Sequence, residues 1–121
     1  MEMNFDYEKA LDFGHCENMN SAGQKLSELT NLLNKVLSIR HRSKADILDE
    51  CSNYTDFNME KLSWDNKLVA LNSASGRKQS IVDLIDLYQK SDEAYRKIKN
   101  KQAQVFDDIM RLKKMIDITP R

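Results

Sequence analysis

Proline and glycine are nearly missing from this chain. Among its 121 residues only Pro120 is a proline and only Gly14, Gly23 and Gly76 are glycines. From Met1 to Thr119, therefore, no residue carries the fixed φ and absent N–H that break a helix. Cysteine is almost as scarce. Cys16 and Cys51 share no CxxC spacing and have no second Cys or His at ligand distance, so neither a disulfide framework nor a zinc site is indicated and buried thiols are expected. No apolar run approaches the roughly 20 residues that cross a bilayer, and the acidic opening MEMNFDYEKALDF lacks the basic stretch of a signal peptide. A cytoplasmic location, or export by a route that needs no signal peptide, is the expectation. Glycine-rich phosphate loops, dinucleotide fingerprints and paired-acid motifs are absent as well. An enzyme is not expected, and neither is a cofactor, a metal or a small-molecule substrate.

The formal net charge is zero, but its distribution is uneven. Residues 1–60 hold eleven acidic and six basic side chains, residues 61–121 eight acidic and thirteen basic. Opposite halves attract, which favours a chain folded back on itself. The length fits one domain over residues 1–121.

What is present is helical periodicity. Met3, Tyr7, Ala10 and Leu11 share one face of a short amphipathic stretch that His15 to Asn20 ends. Ser21 with Gln24 reads as a capping box that starts a helix. Ala22, Leu26, Leu29, Leu33, Val36 and Arg40 then alternate by 4 and 3 residues, and Ala45, Ile47, Leu48 and Cys51 resume the seam after a polar interruption, so the helix either re-caps at Ser43 or, the favoured reading, continues to about Cys51. Residues 52–56 form a polar loop. A second helix is expected along Phe57, Trp64, Leu68 and Leu71, closed at Gly76 by a left-handed cap.

The last segment has the most regular spacing. Ile81, Leu84, Tyr88, Ser91, Tyr95, Ile98, Gln102, Val105, Ile109, Leu112 and Ile116 alternate by 3 and 4 without a slip. A helix over 78–117 extends about 60 Å at 1.5 Å per residue. Residues 57–72 are too short to cover it. The apolar members Ile81, Leu84, Tyr88, Tyr95, Ile98, Val105, Ile109, Leu112 and Ile116 are thus the candidate partner-binding residues, facing a partner chain, a second copy or the N-terminal helix. Ser91 and Gln102 on this seam either fix its register or reach solvent. Arg96, Lys97, Lys99, Lys101, Arg111, Lys113 and Lys114 suggest phosphate contacts, but interleaved Asp107, Asp108 and Asp117 and the lack of an aromatic platform favour a solvated face or pairing with the acidic half. Nucleic acid is not the expected partner. His15 and His41 read as surface or capping residues. Met110 and Met115 fit a core or an adaptable binding surface.

Tyr88-Gln-Lys-Ser-Asp92 with Glu93-Ala94-Tyr95, late in a small helical chain with a tryptophan before it, resembles the helical-hairpin proteins of bacterial type VII secretion. These include Trp-x-Gly (ESX-like) proteins and the α-helical partners of LXG toxins. The resemblance covers mainly residues 57–95. It implies that Tyr88 and Asp92 act as a Tyr-x-x-x-Asp/Glu targeting signal, and that Trp64 and Asn66 form the turn, with Asn66 in place of the glycine. Spacing puts Tyr88 on the seam and Asp92 beside it, where its loss should be nearly silent in folding.

The sequence thus predicts an all-α fold, an elongated helical hairpin or small antiparallel bundle with a long C-terminal helix. The expected function is protein–protein interaction, as a helical partner, chaperone or targeting subunit for a type VII secreted effector. The partner is another helical protein, such as an effector N-terminal domain or a small helical chain, or a second copy, and no membrane insertion is expected. The rival readings are a coiled-coil adaptor or homodimer unrelated to secretion, and a nucleic-acid-binding helical protein.

Overall fold

A computed structural model describes residues 3, 5–54 and 58–118. Among these residues the fold is all-α: α1 (Tyr7–Ala10), α2 (Met19–Cys51), α3 (Trp64–Ala74) and α4 (Gln79–Ile118), with a 3-10 turn at Met59–Lys61 before α3. The two long helices pack against each other, giving the hairpin character read from the seams.

Helix α2 ends at Cys51 as the periodicity requires, but it starts earlier than Ser21. Asn18 Oδ1 accepts the Ser21 N–H at 2.8 Å. Asn18, not Ser21 with Gln24, is therefore the cap, because an Asn carboxamide reaches the exposed N–H three residues on. The amphipathic stretch over 3–13 shrinks to the four residues of α1, none of them buried.

Phe57 lies outside the described residues. Helix α3 begins only at Trp64, where Ser63 Oγ accepts the Asn66 N–H at 3.4 Å. Trp64 and Asn66 are consequently in a first helical turn, not a turn between helices, and the left-handed asparagine is Asn58 (φ 48). At the other end Gly76 (φ 65) takes the expected left-handed cap. Its N–H bonds Ser73 O at 3.0 Å and the Arg77 N–H bonds Asn72 O at 2.9 Å, the paired bonds that satisfy the last carbonyls of a helix. Two positive-φ residues in a row, Gly76 and Arg77, redirect the chain into α4.

The fold divides into two compact units, one built on residues 37–92 and the other on residues 5–36 and 93–118. In the first, Ile47 of α2, Met59, Leu68 and Leu71 of α3, and Ile81 and Tyr88 of α4 form one buried cluster. In the second, Ala22, Leu29, Leu33 and Val36 of α2 and Ala94, Ile98, Val105 and Leu112 of α4 are buried together with Cys16.

Candidate interaction surfaces

Most of the expected partner-binding seam is covered by the chain itself. Ile81, Tyr88, Ile98, Val105 and Leu112 are buried, and Leu84, Tyr95 and Ile109 are half-buried. Only Ile116 is exposed. Of the three occupants that the spacing allowed, it is the N-terminal helix that covers the seam, not a partner chain: α2 runs for 33 residues and supplies the apolar surface that residues 57–72 alone could not. Ser91 and Gln102 do not reach solvent either. The Ser91 hydroxyl donates to Tyr88 O at 2.7 Å, and Gln102 Nε2 lies 3.5 Å from Thr30 Oγ1 on α2. A buried amide that meets a hydroxyl across the seam fixes which residues face each other.

Tyr88 and Asp92 belong to a packed cluster in the first unit. The Tyr88 ring meets Trp64 edge-on at 5.0 Å between centroids, and Arg40 and Lys44 hold their cations 5.8 Å and 5.0 Å from the Tyr88 and Trp64 rings. Arg40 Nε also donates to Asp92 Oδ1 at 2.9 Å. Asp92 is thus a counter-ion to Arg40 within the fold, a pairing that its place beside the seam did not suggest. Sequence reasoning missed the pairing because Arg40 is 52 residues away.

The second unit contains the most concentrated polar chemistry. Residues 12–16 form neither helix nor strand; the Asp12 and Phe13 N–H groups turn back to Lys9 O and Leu11 O, and the backbone groups that follow need partners from elsewhere. Helix α4 supplies them in register. Lys101 Nζ donates to Phe13 O, Gln104 Nε2 to Gly14 O at 3.1 Å and Arg111 to Cys16 O at 2.8 Å, while Asp108 Oδ2 accepts the Cys16 N–H at 2.8 Å. The spacing 101, 104, 108, 111 is that of one helix face. Asp108 Oδ1 also lies 2.8 Å from His15 Nδ1 and 3.9 Å from the Arg111 guanidinium. Burial pushes the Asp108 carboxyl up, but the Cys16 N–H, His15 and Arg111 outweigh it and hold the group below the usual carboxylate range. One turn earlier Lys97 meets Glu8 at 3.5 Å and Glu93 at 3.1 Å. The Phe13 ring sits between two ammonium groups, Lys25 at 4.9 Å and Lys101 at 4.3 Å from its centroid.

Asp108 is the residue that sequence reasoning misread most. It counted as a diluting charge in a basic run, yet its side chain is only 3% exposed, against 76% for His15. The spacing of 108 within the buried face, three from Val105 and four from Leu112, was the available signal. Cys16 is buried as expected, and Cys51 is half-buried with its thiol pushed up by burial.

Exposed apolar side chains collect near the end of α4. Phe106, Met110, Met115 and Ile116 are each more than half exposed, at 53, 57, 56 and 53%. Met19, Leu112, Met115 and Ile116 with Glu17 and Asn18 line a shallow recess there. Among the described residues no helix is long and apolar enough to cross a membrane. No protein family, curated protein or solved structure matches the chain.

Proposed function

We propose that the chain is a protein-interaction module whose docking surface is the C-terminal stretch of α4. The supporting observation is the exposure of Phe106 and Met110, one turn apart on one face of a helix whose inner face is already covered. Met and aromatic side chains outside the core suit a helical partner because the flexible thioethers repack around its apolar face. The test is affinity capture with the wild-type chain and with Phe106→Ser/Met110→Ser, followed by reconstitution from the purified partner. A partner held by the wild type and lost by the variant, with both chains folded, supports the surface; equal retention contradicts it.

The narrower role, a helical partner, chaperone or targeting subunit for a type VII secreted effector, rests on the spacing of Tyr88 and Asp92. Because Asp92 pairs with Arg40, its test needs two variants. Export lost in Asp92→Ala but kept in Arg40→Gln supports a signal read at Asp92. Equal loss in both, or normal export of Asp92→Ala, removes the targeting role.

A further inference from the structure

The contacts between α4 and the N-terminal arm are of a transferable kind. Four of them, from Lys101, Gln104, Asp108 and Arg111, go to the main chain of residues 13, 14 and 16. Any chain presenting the same backbone path would satisfy them. The arm also complements the track in charge: residues 5–16 carry Asp6, Glu8 and Asp12 against Lys9, and the track presents Lys97, Lys101 and Arg111 against Asp108. We propose that this track is a binding site for an extended acidic segment, and that it takes residues 5–16 of a second copy in place of its own, joining two copies by arm exchange.

The arm is built to leave without unravelling its neighbours. Helix α2 is capped by Asn18, outside the arm, through the Ser21 N–H, so its N-terminus stays capped when the arm departs. Helix α1 buries no residue. Departure exposes Cys16 and the half-buried Phe5, Tyr7, Leu11 and Phe13, and it breaks the four main-chain bonds and the Lys97–Glu8 and His15–Asp108 pairs. An identical arm arriving from a second copy restores all of them. Exchange of an identical element keeps every native contact, which makes it a low-cost route to a dimer. The tethered arm competes at an effective concentration on the order of millimolar, so the exchanged form grows with protein concentration. This inference is independent of the apolar end of α4.

The full chain and a fluorescent peptide of residues 5–18, kept reduced, test it. Phe13→Ala weakens the chain's own arm and leaves the track intact. It should bind the peptide about tenfold tighter than the wild type does, because a tethered competitor has been weakened. Lys101→Ala/Asp108→Ala, which removes both the donor to Phe13 O and the acceptor of the Cys16 N–H, should not bind it. Sedimentation of the wild type should show a dimer that grows with concentration and is absent in the double variant, with circular dichroism confirming that each chain is helical. The inference is overturned by a helical Phe13→Ala chain that does not bind the peptide, by equal binding to the double variant, by a monomer at every concentration, or by a dimer that survives the double variant.

Discussion

In residues 37–92 the α2–α4 pair is completed by a third helix, and in residues 5–36 and 93–118 by a stretch without regular structure. Helix α3 satisfies its own backbone and contributes Leu68 and Leu71 to a cluster with Ile47, Ile81 and Tyr88. From the Phe13 carbonyl to Cys16 the arm has no helix or ladder of its own, and Lys101, Gln104, Asp108 and Arg111 bond its main chain. The first unit is therefore held mainly by apolar area, to which the partly exposed Arg40–Asp92 pair adds little, and the arm by polar bonds centred on the buried Asp108 carboxylate, whose strength depends on its ionisation. A net hydrogen bond contributes about 0.5–1.5 kcal/mol, whereas truncating a buried leucine costs about 2–5 kcal/mol. The arm should yield first.

Truncation in the first unit should give the largest loss. Leu71→Ala leaves a cavity in a fully buried site and should cost about 2–5 kcal/mol in urea unfolding. Asp108→Ala strands the Cys16 N–H and should cost about 1–3 kcal/mol. Its distinctive readout is faster labelling of Cys16 by a thiol reagent in a Cys51→Ser background, with little change at Trp64. A Leu71→Ala chain that unfolds no more easily than Asp108→Ala would reverse the ranking.

Acid should separate the units without mutation. The folded Asp108 carboxyl sits below its ordinary value, so its contribution is present above the usual carboxylate pKa near 4 and is lost as pH falls through the lower folded value. Nuclear magnetic resonance should show the Cys16 and His15 amides moving in that window while the Leu71 amide does not, and Asp108→Asn should flatten the response. Asp92→Ala comes next. It removes a partly exposed ion pair with Arg40 and should cost about 1 kcal/mol or less after solvent screening. The smallest effect belongs to Phe106→Ser and Met110→Ser, exposed positions that should shift stability by no more than about 0.5 kcal/mol. A large thermal shift there would mean that the side chains are structural and not a docking surface.

The long helices were legible because their periodicity is local. Helix α4 begins one residue from its expected start and α2 ends at Cys51, since each 3–4 repeat carries its own register. The starts were harder. Asn18 and Ser63 cap through single side chains, and Ser21 offered an equally good local pattern. The candidate site was the least legible part. Which seam is covered depends on how far α2 runs, and the roles of Asp108 and Asp92 depend on partners 92 and 52 residues away. A pattern read along one helix does not contain them.

Native-state hydrogen exchange tests the difference between the two units most directly. The Cys16 amide, bonded to Asp108, should exchange through a local opening with a free energy well below that of the Leu71 amide, and Asp108→Asn should lower the first while leaving the second in place. Equal opening free energies for Cys16 and Leu71, both falling together in Asp108→Asn, would contradict the account, because the arm would then open only when the whole chain unfolds.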